Sequence, residues 1–142
     1  PESEYRGTDG PVQVGEVLAE QIKVSATDPE LFDIPVSLTP AIPIGWSLAW
    51  DNEWKARTHA MWRWAQVVYD RPDGETMIRA PGRVVVTCLP EEMALYHMPR
   101  LRACVDAANQ MMRQAAVKAH AQEIEVSERL KAAQAVFRKG GR

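Results

Sequence analysis

The C-terminal part of the chain, from Pro99 to about Arg138, has no proline or glycine after its first residue. Alanine, glutamine, methionine, glutamate, arginine and lysine dominate this stretch, and most of them have high helix propensity. At 1.5 Å per residue, a helix of about 40 residues is about 60 Å long, which exceeds the diameter of a compact domain of this size. The sequence therefore predicts one long helix over 99–139, ended by Gly140-Gly141, which projects from the rest of the fold.

One face of this predicted helix carries an apolar stripe. Its members follow one another at steps of three or four residues, the spacing of coiled coils; they are Leu101, Val105, Ala108, Met112, Ala115, Ala119, Gln122, Val126, Leu130, Ala133 and Phe137. Two consecutive steps of four after Gln122 shift the heptad by one residue. The second predicted helix, over 51–69, is long enough to cover only about half of the stripe. We therefore expect the remainder, from Ala119 to Phe137, to bind a second copy of the chain or another protein.

Five tryptophans lie between residues 46 and 64, whereas the whole chain has two phenylalanines. The absence of proline and glycine from Asp51 to Tyr69, with Asp51 as a possible cap, predicts a helix over 51–69. A strand over Trp62–Tyr69 is the alternative, because tryptophan, valine and tyrosine also favour sheet. Trp46 and Trp50 are candidate interface anchors, since tryptophan is enriched at binding hot spots. A tryptophan-rich core within one chain is an equally good interpretation.

The part of the chain before the long helix is predicted to fold as a small α+β domain over 12–98, after a flexible lead at 1–11. Its clearest strand is Val84–Leu89, whose continuous apolar run indicates burial on both faces. A second strand is predicted at Thr76–Arg79, with 80–82 as the turn between them. The predicted fold class is therefore α+β, with a small antiparallel sheet packed on a tryptophan-rich helix and a long C-terminal α-helix.

A proline-rich arm is predicted at 28–45 within this domain. It contains four prolines and one glycine, and proline removes a backbone donor and biases the preceding residue toward extended geometry. We expect this arm to be irregular or to lie at a sheet edge. Its many apolar residues indicate that it lies across its own core or across a neighbour.

Residues suited to catalysis or to metal binding are few and scattered. The candidate nucleophiles are Cys88 and Cys104, and the candidate bases are His59, His97 and His120. A cysteine in an apolar strand, such as Cys88, is usually a small core residue. The patterns G-x-S-x-G, H-E-x-x-H, C-x-x-C and the phosphate-binding P-loop are all absent from the sequence. We therefore expect no enzymatic activity, no cofactor and no metal, and a small enzyme of unknown class is the second alternative.

An Arg- and Trp-rich middle segment favours the first alternative, a nucleic-acid-binding accessory protein. Arginine next to exposed aromatic rings can stack on bases and contact phosphates. The candidate residues for this role are Arg57, Trp62, Arg63 and Trp64, together with Arg138 and Lys139 near the C-terminus. The formal net charge of −2 opposes it, because general nucleic-acid binders are usually basic.

Neither end of the chain nor its interior carries a pattern typical of membrane targeting. The N-terminal residues lack a basic stretch followed by an apolar one, and no apolar run approaches the roughly 20 residues that cross a bilayer. Two cysteines exclude a disulfide scaffold. We expect no membrane partner and a location in the cytoplasm, or within a particle assembled there.

Together, these patterns favour a non-catalytic, oligomerising structural or adaptor subunit of a larger protein assembly. A phage-type virion component is one example of such a subunit. The expected partners are a second copy of the chain and another protein, and no small-molecule substrate is inferred. The predicted interaction residues lie in the tryptophan cluster and along the stripe: Trp46, Trp50, Leu101, Val105, Met112, Val126, Leu130 and Phe137.

Overall fold

The computed structural model of the chain describes residues 10–43, 45–57, 63–70 and 79–140. Its strands are β1 (Gln13–Val17), β2 (Lys23–Val24), β3 (Phe32–Pro43), β4 (Ala65–Tyr69) and β5 (Arg79–Cys88). Its helices are α1 (Trp46–Ala56), α2 (Pro90–Glu92) and α3 (Met98–Gly140), with a 3-10 turn at Ala19–Gln21 and a π-helical turn at Met93–His97. The predicted lead at 1–11 lies mostly outside the described residues.

All five strands belong to one antiparallel sheet. Its order is β1–β3–β5–β4, and β2 pairs with β3 beyond the end of β1, on the same side. Strands β3 and β5 are the longest pair and run side by side from Phe32 opposite Cys88 to Pro43 opposite Arg79. The predicted fold class is confirmed, because this sheet packs on a tryptophan-rich helix and is followed by a long C-terminal helix.

The core lies between one face of the sheet and the two helices α1 and α3. Alternate residues of β3 and β5 point into it, as the two-residue period of a strand requires; they include Ile34, Val36, Leu38, Val84 and Val86. Three tryptophans at steps of four residues form one face of α1 and are fully buried: Trp46, Trp50 and Trp54. The rings of Trp50 and Trp54 stack with their centroids 5.3 Å apart.

The prediction of a helix over 51–69 is wrong at both ends. Helix α1 begins at Trp46, immediately after Gly45, whose φ of 93° suits glycine far better than other residues. The helix ends at Ala56, and 65–69 form the strand β4, as the alternative interpretation had it. This strand exists because it pairs with β5 in the register of Val67 opposite Val84. Trp62 lies outside the described residues.

The proline-rich arm is also not an edge. Most of it forms β3, which has neighbours on both sides and is therefore interior to the sheet. Pro40 falls within the register shift between Leu38 and Ile42, where the ladder is interrupted, and Pro43 ends the strand. Pro35 lacks a backbone donor, but its carbonyl oxygen accepts the N–H of Leu18 at 2.9 Å, and the residue stays in register with Val85 of β5.

The turn predicted at 80–82 is replaced by a continuous strand. Ala80 and Gly82 pair with Ile42 and Leu38 of β3, so β5 runs from Arg79 to Cys88. A Cβ atom at Gly82 would lie 2.5 Å from the carbonyl oxygen of Val68, so the close approach of β4 requires glycine there. Residues 76–78 of the predicted second strand lie outside the described residues.

Helix α3 has 43 residues and is about 64 Å long at 1.5 Å per residue. Pro99 closely follows the π-helical turn Met93–His97, and the wider turn before it accommodates a residue that lacks a backbone N–H inside a continuous helical backbone. Its residues up to Met112 contact the rest of the fold, and we call the described residues from 10 to 112 the body of the protein. Beyond it, the side chains of 113–138 are exposed apart from the half-buried Ala116. We call 113–138 the distal segment.

Candidate functional site

The stripe on α3 is divided between the interior of the protein and its surface. Leu101, Val105 and Ala108 are buried against α1 and the sheet, and Met112 is half-buried at the edge of that core. These residues therefore stabilise the chain's own fold. The interaction role predicted for Leu101 and Val105 is wrong in this respect, because a partner has no access to fully buried side chains.

The same face continues along the distal segment with nothing on it in the described structure. Its large side chains keep the three- and four-residue steps of the buried part, and they are strongly exposed: Val126 60%, Leu130 57% and Phe137 80%. Smaller members of the stripe lie between them, and Ala119, Gln122, Val126 and Leu130 border a shallow groove on this face. The arrangement is one continuous stripe of which one half is core and the other half is surface.

Charged residues flank the exposed half of the stripe on both sides. Glu123 lies on one border of the seam, and Glu125 and Arg129 follow each other one turn apart on the other border. The sequence interpretation did not single out these residues. Their spacing relative to the stripe is the signal that identifies them, because residues one position before or four positions after a seam residue border a partner helix.

The tryptophan cluster is core rather than surface. Trp46 and Trp50 have no exposed area, so the interface role predicted for them is replaced by the alternative interpretation of an intramolecular core. The indole N–H of Trp46 donates to Oδ1 of Asn109 in α3 at 3.0 Å, and that of Trp54 donates to the carbonyl of Arg63 at 2.9 Å. These bonds fix α1 between the long helix and the chain that enters β4.

A polar cluster lies where the residues preceding β4, the π-helical turn and α2 meet, with Glu92 and His97 buried and Arg63 half-buried. The guanidinium of Arg63 donates two hydrogen bonds of 2.8 Å to the two carboxylate oxygens of Glu92. Nε2 of the fully buried His97 lies 3.4 Å from Oε1 of the same carboxylate. The hydrogen bonds from Arg63 hold the pKa of Glu92 below its ordinary value, whereas burial lowers the pKa of His97. The cluster is an internal ion pair with a neutral histidine against it.

The residues predicted to bind nucleic acid do not form one patch among the described residues. Arg63 is engaged with Glu92, and Arg57 forms an ion pair with Glu53 at 3.2 Å. Trp64 is 52% exposed and borders a polar groove on the open face of the sheet. Arg138 is exposed, but it lies about 39 Å along the helix from the end of the body. The side chain of Lys139 is outside the described part, as is Trp62.

The two cysteines are poorly suited to nucleophilic catalysis. Both are buried, and burial raises the pKa of Cys88 to about 12 and that of Cys104 to about 11, so the reactive thiolate is scarce at neutral pH. The described ranges contain no group of three or more His, Cys, Asp or Glu side chains placed to hold a metal ion. Within the same residues, no helix combines the length and the apolar character needed to cross a membrane.

Comparison of this chain with protein-family models, with curated proteins and with solved structures finds no match. A function for the chain must therefore be inferred from its own residues and their geometry.

Proposed function

We propose that this protein is a non-catalytic structural or adaptor subunit that self-associates through the distal segment of α3. The observation that carries the proposal is the continuity of the stripe. The face that is buried at Leu101 and Val105 continues to Phe137, where its large side chains are exposed. A helical face with this spacing is complementary to another helix rather than to water.

The energetics favour covering the exposed half of the stripe. Burying one side chain of the size of Val126, Leu130 or Phe137 contributes roughly 1.5–3 kcal/mol, and two copies would bury six such side chains. Association has an entropic cost of several kcal/mol, which this number of side chains is sufficient to offset. In a single long helix these apolar side chains stay in water and add no stability, since only the backbone hydrogen bonds hold the helix together.

The proposed setting is an assembly in the cytoplasm, or a particle formed there such as a virion of the phage type. In this role the body would be the part displayed, and the distal segment would be the part that joins copies. A second protein could then bind the joined copies. We propose no small-molecule substrate and no membrane partner.

A pair of valines on opposite faces of the distal segment tests the proposal. Val126 lies on the stripe and Val117 lies on the far side of the helix, with similar exposures of 60% and 66%. Val126→Glu should weaken association at least tenfold, measured by sedimentation equilibrium, because it places a charge in the apolar seam. Val117→Glu is the matched control, since it makes the same chemical change outside the seam. A monomeric wild-type chain at high micromolar concentration would overturn the proposal.

Nucleic-acid binding is the alternative, and the exposed ring of Trp64 is the observation that favours it. The ring borders the open face of the sheet, where bases could stack on it. Binding to generic single-stranded DNA or RNA should then weaken steeply with salt and be lost in Trp64→Ala. The absence of binding at low salt would remove this alternative.

A further inference from the structure

We infer that the second copy binds antiparallel, so that the two α3 helices cross a two-fold axis near Glu128 and hold the two bodies at opposite ends. This inference rests on the proposed self-association and adds the orientation and register of the pair. Three independent features of the chain lead to it: the position of the body, the order of large and small side chains, and the order of charges.

The body excludes a parallel pair in register. It occupies the stripe face of α3 as far as Met112, where Asn109 is hydrogen-bonded to Trp46 and Leu101 is fully buried. Two parallel helices with facing stripes would bring both bodies to the same side at the same height, where they would overlap. In an antiparallel pair, each body lies beyond the end of the other copy's helix.

Large and small side chains alternate in the order that an antiparallel pair needs. With the axis near residue 128, Phe137 of one copy meets Ala119 of the other, and Val126 meets Leu130. Ala133 meets Gln122. Two of the three layers therefore pair a long side chain with an alanine, and the third pairs two side chains of medium size. Such pairing fills the space between two helices evenly, whereas two facing Phe137 side chains would force the backbones apart.

Charges at the borders of the seam are complementary in the same register. In an antiparallel pair, each border of the seam on one helix faces the same border on the second copy. Glu125 then lies within about 3 Å, measured along the axis, of Arg129 of the second copy on the border that both residues occupy. The two Arg129 side chains flank the axis, each between the Glu125 of its own helix and that of the second copy. The acid of one copy thus adjoins the base of the other on this border.

The length of the distal segment also fits this register. With the axis near residue 128, Gly140 of one copy lies opposite Ala116 of the other, just beyond Met112 at the end of the body. The second helix therefore covers the exposed part of the stripe and ends where the body begins. A register displaced by two turns in one direction would drive the helix into the body, and in the other direction would leave Phe137 uncovered.

Distances between spin labels test the orientation and the register in the full-length chain. Four exposed positions on the side of α3 opposite the stripe are seven residues apart, and each is changed to cysteine in a separate variant: Gln114, Ala121, Glu128 and Ala135. An antiparallel pair predicts axial separations of about 42, 21, 0 and 21 Å between equivalent positions, measured by pulsed electron resonance. A parallel pair predicts nearly the same distance at all four positions.

Two controls make the result decisive. The wild-type chain, treated with the same label at neutral pH, reports any labelling of the buried Cys88 and Cys104. Sedimentation of each labelled variant establishes that it still associates. A minimum at position 128 with increasing distances on both sides is the expected result. Equal distances, or a minimum more than one turn away, would overturn this inference while leaving self-association intact, whereas monomers in the wild-type chain would overturn the proposed function itself.

Discussion

The indole N–H of Trp46 donates a 3.0 Å hydrogen bond to Oδ1 of Asn109, 63 residues further along the chain. The same oxygen accepts the backbone N–H of Val12 at 3.2 Å, and the Asn109 amide donates to the carbonyl of Val12 at 2.7 Å. One side chain therefore joins α1, the residue preceding β1 and the part of α3 at which the distal segment begins. This junction fixes the direction in which the long helix leaves the body.

Replacing Asn109 by alanine should destabilise the fold. The change leaves the buried indole N–H of Trp46 and two backbone groups of Val12 without partners, which we expect to lower the free energy of unfolding by about 2–3 kcal/mol. Urea denaturation measures this quantity. Gln110→Ala is the control, because Gln110 is exposed on the same helix, and its effect should stay below about 0.5 kcal/mol. Equal effects of the two changes would contradict the role of this junction.

The Arg63–Glu92 pair should contribute much more to stability than the Arg57–Glu53 pair. Arg63→Leu leaves the buried carboxylate of Glu92 without its two hydrogen bonds, and we expect a loss of about 2 kcal/mol in the free energy of unfolding. Arg57→Leu breaks an exposed pair within one helix and should cost less than about 0.5 kcal/mol. The two variants remove the same type of side chain, so denaturation curves compare burial directly. A larger loss for Arg57→Leu would be inconsistent with the structure.

Acidification between about pH 7 and pH 5 should destabilise the protein through His97. Burial, and to a lesser degree the nearby charge of Arg100, lowers its pKa in the folded state, so the unfolded chain binds more protons below its ordinary pKa of 6.5. The free energy of unfolding should therefore fall with decreasing pH in this range, by at most about 1.4 kcal/mol per pH unit.

His97→Gln should remove most of this pH dependence, as measured by denaturation at several pH values and one fixed protein concentration. His120→Gln is the control, because His120 is exposed on the distal segment. Its curve should follow that of the wild type. A wild-type stability that rises on acidification over the same range would show that the sign is wrong.

The thiols of Cys88 and Cys104 should be unreactive in the folded protein. Both are buried with raised pKa values, so a disulfide reagent at pH 8 should modify less than about a tenth of them in the time that a free thiol reacts completely. Both should react rapidly in denaturant. One rapidly reacting thiol per folded chain would show that one of the two sites is open to solvent.

Local sequence patterns were sufficient for the elements whose stability is local. The long helix follows from helix propensity and from the lack of proline and glycine between Pro99 and Gly140. The strand near Val84–Val86 follows from a run of β-branched residues. The step of four from Trp46 to Trp50 and Trp54 also marks one face of a helix, although the sequence interpretation placed the start of that helix five residues too late.

Elements that depend on a distant partner could not be located in this way. Residues 65–69 have helix formers before them and β-branched residues within them, and their pairing with β5 decides in favour of strand. The prolines of β3 argued for an edge, but Pro40 falls where the ladder is interrupted and Pro43 ends the strand, so β3 can pair on both sides. In both cases the deciding interaction lies tens of residues away.

For the candidate site, the sequence by itself determined the stripe, its period and its approximate length. From the helix lengths it also predicted that the part from Ala119 to Phe137 would be left uncovered, but it offered Leu101 and Val105 as interaction residues too, because an apolar face looks the same whether it meets its own chain or a partner. Only the tertiary structure decided which side chains are core, by placing α1 and the sheet over Leu101 to Ala108 and nothing described over Val126 to Phe137. The physical reason is that periodicity is a property of one helix, whereas burial depends on what the rest of the chain places opposite it.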